Sequence, residues 1–191
     1  MRLLGAVLLA ISLTLGVGAV APAGAQVVAA DPDWVFYSKD KTRYNSPWYR
    51  GAHRIMIHFG CTRAPYYSPD PRCTRNRGFH HGLDLAMPCG TMLKARTRAW
   101  VVRTDGLGPA YGPRPVRLRN YDHGWDVVIG HTRRVFVRPG DRLHRGDRIA
   151  RASDAGAPDG CHLHFEKRAI GGGLSTAVKP RQLIHLRPRK K

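Results

Sequence analysis

His162-Leu163-His164-Phe165-Glu166 alternates polar and apolar side chains. In extended backbone, alternate residues share a face. The run therefore predicts a strand with Leu163 and Phe165 turned into a core and with His162 and His164 together on the opposite side. One of these imidazoles can bind a metal while the other, two residues away, reaches the metal's open coordination position. Upstream, His80-His81-Gly82-Leu83-Asp84 shows the same even spacing between His80 and Asp84, with His81 out of phase. Together the two segments supply two imidazoles and one carboxylate, the ligand count of a catalytic zinc with a fourth place left for water.

A straight strand would hold His80 and Asp84 roughly 13 Å apart, too far for one ion. A helix would bring them together, but Gly82 and the following Met87-Pro88-Cys89-Gly90 argue against one. The sequence instead predicts a bend at Gly82, where the missing Cβ permits an unusual backbone angle, and a strand beginning near Leu83.

Outward from these segments, the chain reads as short strands. Arg54–Phe59, Thr91–Ala95, Ala99–Thr104, Pro115–Arg119, Trp125–Ile129 and 161–168 are apolar or alternating, and Gly or Pro punctuates them at roughly ten-residue intervals. That pattern predicts a mainly β sandwich or barrel. A single short helix is expected at Pro180–Ile184, with Pro180 at its first position.

Met1-Arg2 precedes an apolar run reaching Val20, and Ala23-Gly24-Ala25 offers the small residues a signal peptidase reads. Residues 1–25 are expected to be a secretory signal peptide; the alternative, a retained anchor, would sit near the lower length limit for spanning. The remaining, roughly 166 residues suffice for one domain with a core. The expected organisation is an N-terminal arm at 26–53, lying across a groove or forming an edge strand, a domain at 54–187 and a basic tail at 188–191.

The formal charge is +19, and removal of Arg2 with the signal leaves about +18. In a cytosolic protein such charge suggests nucleic acid. Here the signal and the few, scattered aromatic residues argue against it, and the charge reads as general attraction to anionic wall polymers. Four cysteines, all after the signal, suit two disulfides in an oxidising compartment. Three pairings are open. Cys61 and Cys73 bracket a loop rich in turn residues, and Cys89 and Cys161 lie close in sequence to Asp84 and His164. If those two residues share a metal, the expected bonds are Cys61–Cys73 and Cys89–Cys161.

The order His80-x-Gly82-x-Asp84, Gly90–Ala95, Gly140-Asp141 through Gly146-Asp147 to Ala150, then His162–Glu166 resembles the lysostaphin-type zinc metallopeptidases over about residues 54–185. That family contains secreted murein endopeptidases and bacteriolytic enzymes. The resemblance implies an antiparallel β-sheet groove of the duplicated hybrid motif type. It implies one zinc ion held by His80, Asp84 and His164, with His162 as a catalytic residue. The family also places a catalytic histidine in a Tyr-x-His-Leu segment. This chain has Ile129-Gly130-His131-Thr132 there, without the Tyr and Leu, and His131 is preferred over His123 and His144. No glutamate stands in an HExxH arrangement, and Glu166 is a structural position by the same resemblance. The implied protein is a secreted or envelope-located monomer that hydrolyses peptide bonds in peptidoglycan stems or cross-bridges. It would have peptidoglycan as its partner and no stable membrane span after signal cleavage. The competing reading is a non-catalytic wall-binding or amidase-activating module.

Overall fold

In the computed structural model, residues 33–190 are described, so the expected signal peptide lies outside the described residues. Fourteen strands are found among them: β1 (Arg43–Asn45), β2 (Ala52–Ile57), β3 (Gly60–Thr62), β4 (Gly78–His80), β5 (Leu83–Ala86), β6 (Met92–Lys94), β7 (Ala99–Val102), β8 (Val116–Asn120), β9 (Trp125–Gly130), β10 (Thr132–Arg133), β11 (Arg142–Leu143), β12 (Arg148–Ala152), β13 (His162–Ala169) and β14 (Arg187–Pro188). Nine form one sheet in the order β11-β7-β8-β9-β13-β5-β2-β1-β14. A three-stranded sheet, β10-β12-β6, and the β3-β4 hairpin complete the set. All strand pairs are antiparallel. The mainly β class expected from the sequence is thus the class observed.

The longest strand, β13, lies between β9 and β5. Leu163 and Phe165 are buried in the main core, with Leu118 and Val127 from neighbouring strands and with Leu93, Ile149 and Ala150 from the smaller sheet. Trp48 meets Phe165 edge to face at 4.9 Å between ring centroids. The other face of β13 is also buried, including His162, His164, Glu166 and Arg168. Buried polar groups must be hydrogen-bonded or paired, and that requirement organises the site described below.

Two strands at the end of the large sheet escaped the periodicity reading because each is too short to show a period. Arg43–Asn45 pairs with both β2 and Arg187–Pro188, so the arm supplies an edge-proximal strand and the basic end of the chain closes the sheet. The start of the arm also touches the loop before β13. The Trp34 indole N–H donates to the Cys161 carbonyl at 2.6 Å, and the Val35 N–H reaches the Asp159 carbonyl at 3.4 Å. The one α-helix among the described residues, α1 (Arg181–Ile184), has Pro180 as its N-cap rather than as its first helical residue. No helix among the described residues is long and apolar enough to cross a membrane.

Cys61 is bonded to Cys73, and Cys89 to Cys161. The second bond closes 72 residues of chain. Loop entropy alone gives it about 4 kcal/mol, against about 3 kcal/mol for the shorter one. Replacing Cys89 and Cys161 together by Ala is expected to cost up to about 4 kcal/mol in urea unfolding, more than the Cys61/Cys73 double replacement. Equal losses would show that native packing, not chain closure, sets the effect.

Candidate active site

Antiparallel register brings the separated sequence segments together. His164 on β13 stands directly opposite Asp84 on β5 and Gly130 on β9. Directly opposed residues point to the same face, so Asp84 and His164 are neighbours by register. His131 follows Gly130 immediately. The chain reverses between β4 and β5 at His81-Gly82, which returns His80 beside Asp84.

Three ligand atoms converge. His80 Nε2 lies 3.4 Å from Asp84 Oδ1 and 3.2 Å from His164 Nδ1, and His164 Nδ1 lies 2.9 Å from Asp84 Oδ1. Three ligands on a tetrahedral zinc, at about 2.0–2.1 Å from the ion, stand about 3.3 Å apart. The cluster therefore has the size and donor set of a zinc site, and it is buried. Cys89 and Cys161 are bonded to each other and so are not ligands.

The histidines are held by one recurring device. In each, one ring nitrogen donates to a fixed acceptor, which leaves the other as the atom turned toward the cluster. His80 Nδ1 donates to the His58 carbonyl at 3.1 Å, freeing Nε2. His164 does the reverse: its Nε2 donates to Glu166 Oε1 at 2.8 Å, freeing Nδ1. His162 Nδ1 donates to the Gly160 carbonyl and His131 Nδ1 to the Ala155 carbonyl, both at 2.9 Å. His162 Nε2 then lies 3.8 Å from Asp84 Oδ1, beside the three-atom cluster but outside it. The His131 ring stands 4.5 Å from that of His162 and 5.9 Å from that of His164, between centroids. His131 adopts a left-handed backbone, φ 52°, a conformation non-glycine residues adopt at a cost. It is fixed there by its N–H to the Tyr111 carbonyl at 2.8 Å and by Ser153, whose N–H and hydroxyl both donate to its carbonyl. His123 and His144 lie elsewhere, on the groove discussed below. His81 turns away from the site, as its phase predicts, and meets Arg72 at 2.9 Å.

Charge is concentrated here. Burial opposes ionisation of Asp84, but His80, His162 and His164 outweigh it and hold the carboxyl well below its usual range. Burial also disfavours a charged His164, yet Asp84 and Glu166 raise its pKa to about 10 in the metal-free site. Burial likewise opposes ionisation of Glu166, and His164 and Arg168 bring it down to about 2. His131 is pushed down to about 3, first by burial and then by His162 and His164.

The structure corrects the reason for Gly82. Its φ is outside the left-handed region, so no unusual backbone angle requires glycine. Close approach does: a Cβ there would lie 2.7 Å from His164 Cε1 and 3.0 Å from the Phe165 carbonyl oxygen. Gly82→Ala is expected to displace the His164 ring, weakening zinc binding at least tenfold and costing about 1–3 kcal/mol in stability. Thermal melting and zinc competition titration measure the two effects, and a variant with wild-type zinc affinity would show that the ring has room to move.

Sequence reasoning missed four contributors. Arg168 pairs with Glu166 at 2.5 Å and also donates to the Tyr111 hydroxyl, which donates to Glu166 Oε1 at 2.9 Å. Continuing the parity of His162, His164 and Glu166 by one step reaches Arg168. Tyr111 ends a 3-10 turn, Pro109–Tyr111, more than fifty residues away and carries no signal. The Tyr66 hydroxyl donates to Asp159 at 2.6 Å, and Asp159 in turn stands 3.6 Å from His162 Nδ1.

Comparison with known proteins places this arrangement among relatives. The model of Peptidase family M23 matches residues 78–180. Peptidoglycan DD-endopeptidase ShyA of Vibrio cholerae is 30% identical over 112 residues, covering 51% of this chain and 23% of that protein. The chain thus spans about a quarter of that relative's length. The solved structure of LytU is 29% identical, with a TM-score of 0.54, over 70% of this chain and 85% of LytU. The catalytic domain of the antimicrobial peptidase lysostaphin from Staphylococcus simulans is 25% identical, with a TM-score of 0.55, over 69% of this chain and 92% of that domain.

Proposed function

Because the chain belongs to peptidase family M23, and because its three convergent ligand atoms leave a further imidazole facing the same space, we propose that it is a zinc metalloendopeptidase of the cell envelope that hydrolyses peptide bonds of peptidoglycan. The observation that carries this reading is the His80–Asp84–His164 triangle with His162 Nε2 beside it, outside the ligand set.

In this reading His80 Nε2, Asp84 Oδ1 and His164 Nδ1 hold the metal. A zinc ion held there would supply Lewis acidity toward the scissile carbonyl and the attacking water. His162 is the proton carrier: its Nε2 lone pair accepts the proton of the attacking water. Once protonated, it donates to the developing oxyanion and then returns the proton to the departing amine. His131, held neutral by its surroundings, packs against that ring, and with its Nδ1–H on the Ala155 carbonyl its Nε2 is free to accept from a water and orient it. Asp159, Tyr66 and the Gly160 carbonyl fix the His162 ring. The signal peptide expected at 1–25 and the two disulfides agree with an oxidising compartment outside the cytosol.

Incubation of the secreted protein with purified sacculi, followed by mass spectrometry of the released fragments, tests the reading. Fragments with new peptide amino termini should appear, vanish with chelator and return with zinc. Release of glycan ends, or chelator-insensitive release, would overturn it.

A further inference from the structure

Away from the histidine cluster, a groove of about 1190 Å³ opens at the far end of β13. Lys167 lines it, and strand parity places Lys167 on the face opposite His164 and Glu166. Along the strand it is about 10 Å beyond His164. The other cationic walls are Arg96, Arg98, Arg145 and Arg187, with Trp125 and Leu183 in the lining as well. No aspartate or glutamate lines the groove.

The cations of this groove differ from those on the sheet face that carries the histidines. On that face, Arg117 and Arg119 are paired with Asp126, and Arg168 with Glu166. Among the described residues, Arg96, Arg145, Lys167 and Arg187 make no ion pair, and only Arg98 at the groove is neutralised, by Asp122 at 2.7 Å. Two guanidinium groups are nevertheless held in place. Arg96 donates to the Leu183 carbonyl at 3.0 Å, and Arg187 Nε donates to His185 Nε2 at 2.8 Å. The pKa of His185 is lowered first by desolvation and then by the charges of Arg187 and Arg96. Four unpaired cations facing one concavity repel one another, and an anionic ligand removes that repulsion. Arginine's planar fork suits an oxyanion with two available oxygens.

We propose that this groove binds a linear polyanion without bases, one that carries a single phosphate or carboxylate per repeating unit. The form of the groove selects among polyanions. A single-stranded nucleic acid would need exposed aromatic faces for stacking, but Trp125 is 5% exposed. A membrane surface would need apolar side chains projecting beside the cations. The exposed large apolar residues, Trp100, Tyr121 and Ile170 among them, do not line this groove. The binding does not depend on the peptidase reading, so the His162→Ala protein should bind as the parent does.

Poly(glycerol phosphate) and polygalacturonate of matched length, labelled at one end, serve as probes, with a fluorescence anisotropy readout. A dT15 oligonucleotide and phosphatidylglycerol vesicles serve as competing classes. The variant Arg96→Gln/Arg145→Gln/Lys167→Gln/Arg187→Gln should bind at least tenfold more weakly to whichever of the two polymers the parent binds. An equal-charge control at exposed sites, Lys39→Gln/Arg103→Gln/Arg134→Gln/Arg138→Gln, should lose less than threefold. If the fourfold groove variant melts early, the exposed Arg145→Glu change alone should still weaken binding about threefold more than Arg138→Glu. Binding by neither polymer, equal losses in groove and control variants, or tighter groove-dependent binding of dT15 or vesicles would each overturn the proposal.

Discussion

His162→Ala should give a folded protein that holds one zinc ion and has lost cleavage of wall peptides by about 10²–10⁴-fold in kcat. The expectation follows from where each nitrogen points. His162 Nε2 is 3.8 Å from Asp84 Oδ1, while the three atoms of the triangle lie within 3.4 Å of one another. Removing His162 leaves the triangle and its supports intact: the His80 bond to the His58 carbonyl and the His164 bond to Glu166 do not involve it. What disappears is the lone pair that accepts a proton, together with the donor that its protonation creates. His164→Ala makes the contrast, since it removes a vertex of the triangle and should abolish zinc binding and cleavage together. Metal content by atomic absorption and turnover of purified wall peptides separate the two cases. A His162→Ala protein that loses its zinc would make His162 a ligand, and one that keeps turnover would remove it from the reaction.

Much of this arrangement was legible because strand parity is a strict rule. Five residues, His162 to Glu166, were enough to place Leu163 and Phe165 in the core and the histidines on the other face. The bend between His80 and Asp84 was legible from distance alone, since no straight element lets both reach one ion. Its cause was not, because a sequence does not show that the His164 ring will lie against Gly82. Register was likewise hidden. That Asp84 faces His164, and that Gly130 flanks it on the other side, follows from pairings across 80 and 34 positions of chain that local pattern does not encode. His131 shows the limit from another direction. Its neighbours lack the Tyr and Leu of the family segment, yet the ring stands beside His162 because a left-handed turn after β9 swings it there. Strands of two or three residues, such as Arg43–Asn45 and Arg187–Pro188, have no period to read and exist only through their partners.

Glu166 carries the second large expectation, and it gives physical content to what the sequence offered only as a structural position. Its carboxylate is 1% exposed and accepts from His164 Nε2, from Arg168 and from the Tyr111 hydroxyl. The first of these bonds keeps the proton on Nε2, so that Nδ1 is the atom presented to the metal. A carboxylate in that place also makes the imidazole a stronger donor, and loss of such partners typically weakens metal binding by about 10–100-fold. Glu166→Gln preserves shape and can still accept from Nε2, but it lacks the charge. It should remain folded, bind zinc about tenfold more weakly in chelator competition, and recover cleavage when zinc is raised. Glu166→Ala should do worse for a different reason. It strands the Arg168 guanidinium, 3% exposed, without its counter-charge, at a cost of about 3–5 kcal/mol. Adding Arg168→Met to Glu166→Ala should therefore restore much of the melting temperature but none of the zinc affinity. If both properties return together, Glu166 acts on the metal only through the fold. If stability returns alone, Glu166 positions His164 directly.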